Sequence, residues 1–127
     1  MKPQRFSVCP GEWAIAKLAA DAPVPVWALG CSGFSSVTRT GGELSIVAPA
    51  VEVPLDIPAE RGWSLLQLKG PFAFDQTGIL ASFATPLAEA GIGLFALSTF
   101  DTDYLLVKAE VIDRAIHALV AAGHTRE

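Results

Sequence analysis

The C-terminal half of the chain combines short apolar runs with segments in which apolar residues recur every three to four positions. Ile79–Ala90 has apolar residues at positions 79, 80, 83, 84, 87 and 88, which is the spacing of one helix face. Glu110–Ala122 repeats the pattern and carries its charged residues on the opposite side. Short apolar runs bounded by turn residues are typical of strands. The pattern predicts a strand at Trp63–Leu68, a helix at Ile79–Ala90, strands at Leu94–Thr99 and Tyr104–Lys108, and a helix at Glu110–Ala122.

Glycine and proline indicate where these elements end. Gly91 and Gly123 follow the two predicted helices, and glycine permits the left-handed conformation that ends a helix. Pro86 lies inside the first helix and lacks the amide hydrogen that a helix interior uses, so we expect a kink or an end there. Asp101-Thr102 supplies the tight turn of a hairpin between the last two strands.

The order strand, helix, strand, strand, helix predicts an α+β fold of the ferredoxin-like βαββαβ type that lacks its last strand. We expect antiparallel strands with helices on one face. Arg5–Cys9 is also predicted to be a strand, and two roles stay open for it. It is either the opening strand of a first copy of this arrangement or the strand that the second copy lacks.

The N-terminal half resembles the C-terminal half, which indicates an internal duplication. Leu18–Ala22 followed by Val24–Leu29 parallels the end of the first helix and the strand after it, with Trp27-Ala28-Leu29 in the place of Phe95-Ala96-Leu97. Glu43–Val47 parallels the segment that begins sixty residues later at Asp103.

The stretch Pro49–Pro58 contains three prolines and is the predicted connector between the two halves. We therefore expect two modules in tandem. A divergent module is predicted over residues 1–60, and a second module over residues 61–127.

Composition restricts the class of protein. Of the 127 residues, 51% are hydrophobic and 17% are charged, and the formal net charge is −4. Such an apolar content excludes intrinsic disorder, and scattered Lys and Arg in an acidic chain argue against a nucleic-acid surface. The longest uncharged run, Ala22–Thr38, has 17 residues and is too short and too interrupted to cross a bilayer. We expect a cytoplasmic homodimer, because modules that pack together and against a second chain leave little charged surface.

The titratable side chains offer little catalytic chemistry. Cys9 and Cys31 have no CxxC spacing and no histidine near them in sequence, so reduced, partly buried thiols are expected. His117 and His124 lie on or just beyond the last helix and are expected on its solvated face. These residues form no ligand set for a metal ion, and nothing in the sequence indicates a cofactor. We expect no enzymatic activity, since no known catalytic motif occurs.

A small zwitterion fits best where two predicted connections meet. The first two strands of a βαββ unit are parallel, so Gly70–Gly78 and Ser98–Asp103 are expected at the same edge of the sheet. The free amides at the helix start suit a carboxylate, and Gly78 lets a ligand approach the backbone closely. Asp103 or Asp101 can accept a hydrogen bond from an ammonium group.

Two more residues complete this predicted site. Thr99 adds a hydroxyl group, and Phe100 adds an apolar wall. The alternative interpretation is that Asp75 is a turn or helix-cap residue and that the aspartates after Phe100 are ordinary hairpin residues. An enzyme would have to use the pair Asp75 and Asp103, since they are the only candidate acid and base.

Two segments carry a resemblance to a known family. The first runs from Asp75 to Ile92 and contains TGILA near its start, and the second runs from Phe95 to Val107 and reads FALSTFDTDYLLV. They resemble the ACT domain, and more closely the tandem-ACT proteins related to the CASTOR arginine sensors and to the regulatory domains of aspartate kinases. The resemblance covers residues 62–122 strongly and the N-terminal half more weakly.

The resemblance implies a ferredoxin-like module that pairs side by side with another and binds an amino acid between them. The residues that match the family's ligand-contacting positions are Thr99, Phe100 and Asp103, together with the backbone around Asp75, Gly78 and Ile79. The first copy has Cys31-Ser32-Gly33 where the second has Ser98-Thr99-Phe100, so its equivalent site is expected to be altered.

We therefore expect a non-catalytic regulatory module that binds an amino acid and acts through self-association or a partner protein. The alternative is a structural or dimerisation module that has lost its ligand. The small charged fraction and an unfilled sheet edge would also fit that alternative. Which amino acid is bound stays open at this point.

Overall fold

The computed structural model describes residues 3–69 and 77–127. The predicted strands and helices of the C-terminal half are confirmed to within a few residues. The strands are β1 (Arg5–Leu18), β2 (Ser36–Arg39), β3 (Leu44–Pro49), β4 (Ala59–Leu68), β5 (Phe95–Ser98), β6 (Asp103–Lys108) and β7 (Thr125–Arg126). The helices are α1 (Val26–Leu29), α2 (Ile79–Glu89) and α3 (Ile112–Ala121), with 3-10 helices at Ala50–Glu52 and Ala109–Val111.

The chain divides into two compact units that are not consecutive halves of the sequence. Unit 1 comprises Met1–Pro10 and Ser64–Glu127, and unit 2 comprises Gly11–Trp63. The division falls inside two strands, because β1 and β4 each contribute residues to both units. Each of these strands contains a glycine with a left-handed backbone close to the division, Gly11 with φ 100° and Gly62 with φ 78°.

Unit 1 is a ferredoxin-like sheet with helices. Its strands follow the order β1-β4-β6-β5, and β7 pairs in parallel with β1. If β4, β5 and β6 are numbered 1, 2 and 3 and β1 is numbered 4, this order is 4-1-3-2. The Lys69 amide donates to the Arg5 carbonyl oxygen at 2.9 Å. The first part of β1 is therefore the strand that the C-terminal module lacks in sequence, and its continuation opens unit 2.

The core of unit 1 lies between the sheet and its two long helices. Alternate residues of the strands face the helices, as a two-residue period requires. Phe83 is fully buried in α2 and meets Phe6 edge-on, with ring centroids 6.0 Å apart. The buried cluster is formed by Phe6, Leu66, Leu68, Ile79, Phe83, Leu87, Ile92, Leu105, Val107, Ala115 and Leu119.

Unit 2 repeats the strand order but has smaller covering elements. Its strands follow the order β2-β3-β1-β4, and the Lys17 amide donates to the Pro58 carbonyl oxygen at 3.2 Å. The four-residue helix α1 and the segment after β3 cover its core, which consists of Ala14, Ala16, Ala28, Leu44, Ile46, Ala48 and Val53.

The parallel between Val24–Leu29 and the strand after the first helix is wrong, because Val26–Leu29 forms α1. A short apolar run does not by itself distinguish a strand from a helix. Pro25 precedes α1 with φ −66°, which suits the start of a helix. Leu18 ends β1 rather than lying in a helix, so the parallel between Leu18–Ala22 and the end of α2 is also wrong.

The two hairpins nevertheless match each other closely. Ser36 pairs with Val47 in unit 2, and the residues 59 positions later, Phe95 and Leu106, pair in unit 1. A 3-10 helix follows each hairpin at the same distance. The spacing of the repeat is thus 59 residues rather than the predicted sixty, and Leu44 is the counterpart of Asp103.

Candidate functional site

The start of α2 offers backbone groups rather than side chains. Gly78 precedes the helix in the left-handed conformation (φ 80°, ψ −2°), and no side chain caps this end. The Gly78 carbonyl oxygen accepts from the Ser82 amide at 2.9 Å. The amide hydrogens of the first turn have no acceptor within a helix and suit an anionic group. Ile79 is 8% exposed and anchors the helix in the core.

The turn between β5 and β6 brings most of the predicted side chains together. The Thr99 amide and its hydroxyl group both donate to the Thr102 carbonyl oxygen, at 2.8 Å and 3.0 Å. The Ser98 hydroxyl donates to Oδ1 of Asp103 at 2.6 Å. Phe100 is 76% exposed at the tip of the turn. Asp103 thus presents a half-buried carboxylate that already holds one hydrogen bond.

The topology of unit 1 puts this turn and the start of α2 at one edge of its sheet. The connection from β4 through α2 to β5 joins strands on either side of β6, and a strand–helix–strand connection of this kind joins strands that point the same way. Both strands therefore end at the edge where α2 begins and where the hairpin turns. Asp75 lies outside the described residues.

The equivalent turn in unit 2 has the same backbone but different side chains. The Thr40 amide donates to the Glu43 carbonyl oxygen at 2.9 Å, as Thr99 does 59 residues later. The counterparts of Phe100 and Asp103 are Gly41 and the buried Leu44. The predicted match with Cys31-Ser32-Gly33 is therefore wrong, since the hairpin register assigns Arg39-Thr40-Gly41 to that place.

Sequence reasoning missed His124. The expectation of a solvated side chain is wrong, since His124 is 4% exposed and stacks on Phe83 with ring centroids 4.0 Å apart. Its Nε2 donates to the Ser82 carbonyl oxygen at 2.7 Å, and its Nδ1 accepts from the Gln4 amide at 3.1 Å. The signal in the sequence was Pro86, because a proline leaves the carbonyl four residues earlier without its helical donor.

The Ser82 hydrogen bond compensates for the donor that α2 lacks at Pro86. In a helix the amide of residue 86 would donate to the carbonyl of residue 82, but proline has no amide hydrogen. The His124 ring supplies the missing donor, and α2 continues to Glu89. The other histidine, His117, is exposed on α3 as expected.

Both cysteines are free thiols of intermediate burial. Burial raises the pKa of the Cys9 thiol, and the positive charge of Lys69 opposes that effect only in part. The pKa of Tyr104 is raised as well, first by burial and then by Cys9. A thiol whose pKa is raised stays protonated and is a poor nucleophile at neutral pH.

Other kinds of site find little support in the described ranges. Within residues 3–69 and 77–127, no group of three or more His, Cys, Asp or Glu residues is placed to hold a metal ion. No helix in the same ranges is long and apolar enough to cross a membrane. A shallow cleft of about 410 Å³ lies in unit 1, but it is lined by Ala90, Asp113, Arg114, His117 and Ala118 and contains none of the predicted site residues.

A family model covers the part of the chain that contains Gly78 and the β5–β6 turn. Residues 59–121 match the family model described as ACT domain, which includes α2, both strands of the second hairpin and α3. The chain belongs to the ACT domain family. A second family model, described as an N-terminal domain, matches residues 11–56.

Named relatives of this ACT protein include amino-acid sensors. The mouse protein named cytosolic arginine sensor for mTORC1 subunit 1 is 38% identical over 95 residues, which is 68% of this chain and 28% of the mouse protein. The matched segment spans only between 18% and 28% of the length of these curated relatives.

Solved structures show the same fold. Protein Atu0741 from Agrobacterium tumefaciens is 41% identical, with a TM-score of 0.94 over 100% of this chain and 94% of the other. The regulatory subunit of aspartate kinase from Thermus thermophilus is 13% identical, with a TM-score of 0.64 over 93% of this chain and 96% of the other. At that identity the likeness concerns the fold alone.

Proposed function

We propose that this chain is a non-catalytic regulatory module that binds an amino acid and acts through self-association or a partner protein. The proposal rests on the topology of unit 1, since the start of α2 and the β5–β6 turn belong to one edge of its sheet, and on the match of this segment to the ACT domain. The relatives named as arginine sensors and the regulatory subunit with the same fold support the regulatory role. A cytoplasmic location belongs to the same proposal.

The two ends of an amino acid match the two sides of the site. The amides after Gly78 would receive the α-carboxylate, since they have positive character and no side-chain cap. The Asp103 carboxylate would accept from the ammonium group, because an ionised acceptor forms the stronger hydrogen bonds. Thr99 and Phe100 would border the ligand, and Asp75 would contribute through its backbone.

The tandem arrangement is part of this proposal. The two hairpins share one register at a spacing of 59 residues, which supports two ACT-like modules. Unit 2 keeps the turn with Thr40 but has Gly41 and Leu44 where unit 1 has the aromatic ring and the carboxylate. We therefore place ligand binding in unit 1 and assign unit 2 a structural role.

The experiment that tests ligand binding is a thermal-shift screen of the twenty amino acids, with arginine as the first probe. A ligand at about 100 times its dissociation constant adds about 2.7 kcal/mol to the free energy of unfolding. Asp103→Ala should abolish the shift. Ser98→Ala is the matched control, because it removes the hydrogen bond at 2.6 Å but leaves the carboxylate available. A protein that responds to no amino acid at millimolar concentration contradicts the proposal.

One observation favours the alternative of a structural module that has lost its ligand. The polar side chains of the turn already have partners within it, since Asp103 accepts from Ser98 and Thr99 donates to Thr102. This alternative predicts a dimer whose dissociation constant is the same with and without amino acids.

A further inference from the structure

The His124 ring is bonded at both nitrogens, which determines where its proton lies. The Ser82 carbonyl oxygen can only accept, so Nε2 carries the hydrogen, and Nδ1 is free to accept from the Gln4 amide. The ring is 4% exposed and stacked on Phe83. Each polar atom of this buried side chain therefore has a specific backbone partner.

The two partners of His124 belong to distant parts of the chain. Ser82 lies in the first turn of α2, directly after the proposed ligand amides, and it lacks its helical donor because of Pro86. Gln4 lies just before β1. One side chain thus connects the start of the ligand-binding helix to the strand that completes the unit 1 sheet.

The residues that follow His124 continue the connection. The Thr125 amide donates to the Gln4 carbonyl oxygen at 2.9 Å, and the Glu127 amide donates to that of Phe6 at 2.8 Å. The Glu127 carboxylate forms ion pairs with Arg5 at 2.7 Å and with Lys69 at 3.8 Å. The segment His124–Glu127 is therefore attached to β1, to the residue after β4 and to α2.

We propose that His124 is a positioning residue of the candidate site, which supplies the donor that Pro86 lacks and so couples the first turn of α2 to the segment His124–Glu127. Its role in ligand affinity rests on the proposed function. A proline in the middle of a helix leaves a backbone group free for an outside donor, and in this protein the donor comes from the C-terminal segment. If the segment His124–Glu127 becomes disordered, the first turn of α2 loses this donor, and the amides proposed to bind the ligand become less ordered.

Amide hydrogen exchange without ligand tests the coupling directly. His124→Phe keeps a ring that can stack on Phe83 but removes both hydrogen bonds. We expect exchange at the amides of Ser82 and Phe83 to become about tenfold faster than in wild type, while amides of β3 in unit 2 change much less. His117→Phe is the matched control at an exposed position of the same unit and should leave exchange in α2 unchanged.

Pro86→Ala provides the rescue. Alanine restores an amide hydrogen that can donate to the Ser82 carbonyl oxygen, so the double variant His124→Phe/Pro86→Ala should return exchange in α2 to within about threefold of wild type. His124→Gln keeps a donor near the place of Nε2 and should have the smaller effect. If His124→Phe does not fold, the comparison of His124→Gln with and without Pro86→Ala decides the same question.

Two results would overturn the proposal. One is an equal acceleration of exchange in α2 and in β3, which would mean that the ring only stabilises the fold as a whole. The other is an effect of the His124 variants that Pro86→Ala does not reduce.

A second readout is the dissociation constant for the amino acid that gives the largest thermal shift with wild type. It should rise about tenfold in His124→Phe and recover in the double variant, and an unchanged constant would contradict the role in positioning. If wild type responds to no amino acid, the proposed function fails, whereas the exchange experiment still decides whether His124 couples α2 to the C-terminal segment.

Discussion

Two phenylalanine rings of unit 1, Phe83 and Phe100, lie in opposite environments. Phe83 is fully buried, perpendicular to the ring of Phe6 and stacked on the ring of His124, whereas Phe100 is 76% exposed. The same residue type is thus buried in the core at α2 and exposed in the β5–β6 turn.

Truncation of these two rings should have opposite consequences. Phe83→Ala removes a fully buried ring and leaves a cavity, so it should lower the free energy of unfolding by about 3–5 kcal/mol. Phe100→Ala should change it by less than about 0.5 kcal/mol and should instead weaken amino-acid binding. Urea denaturation of both variants measures the first effect, and equal losses in the two variants would contradict the assignment.

The raised pKa values of Cys9 and Tyr104 predict how stability changes at alkaline pH. The unfolded chain loses these protons at the ordinary values, near 9 for the thiol and 10 for the phenol, whereas the folded state holds them to higher pH. The contribution to stability is therefore complete below pH 9 and is lost as the pH rises through the folded pKa. Denaturation curves between pH 8 and 11 should show a fall that is shallower in Cys9→Ala, and an identical slope would count against this account.

At the scale of elements, left-handed glycines permit the long strands to serve two units. Gly62 has φ 78° inside β4, a conformation that residues with a Cβ rarely adopt. β4 contributes its first part to unit 2 and its second part to unit 1, so the left-handed residue Gly62 lies close to the division.

Gly62→Ala should therefore destabilise the protein by about 1–2 kcal/mol through backbone strain alone, because no atom lies within 4 Å of the added methyl group. Gly30 is the control, since it also has free space around it but has φ −111°. Gly30→Ala should be neutral or stabilising by up to about 1 kcal/mol. Thermal unfolding measures the stability of both variants. Since an added methyl group has free space at both positions, a difference reports backbone strain at Gly62, and equal stability would show that the β4 backbone relaxes without cost.

At the scale of the whole molecule, self-association separates the two functional hypotheses. The chain has a mass of 13.3 kDa, and we expect sedimentation equilibrium to show twice that mass at micromolar concentration. A regulatory module should change its dissociation constant when the amino acid binds, since a ligand that prefers one state shifts the equilibrium toward it. A chain that stays at 13.3 kDa throughout would exclude a homodimer as the means of regulation.

Features that depend on residues close together in the sequence could be predicted from the sequence, and the others could not. The spacing of apolar residues predicted α2, α3 and the β5–β6 hairpin because side-chain periodicity is a local property. The comparison of the two halves failed at Val24–Leu29, where the run is too short to show a period of its own. It also aligned the first copy through Trp27, whereas the hairpin register aligns it through Thr40.

The sequence by itself determined the ferredoxin-like class, the ACT-like segment and the turn that holds Thr99, Phe100 and Asp103, since each depends on residues close together in the chain. Only the tertiary structure decided that Arg5–Pro10 completes unit 1 and that His124 supplies the donor for α2. The Gln4–His124 hydrogen bond joins residues 120 positions apart, and no local pattern encodes such a pair. It forms because a backbone amide and the nitrogen of a buried ring must each find a partner once the fold excludes water.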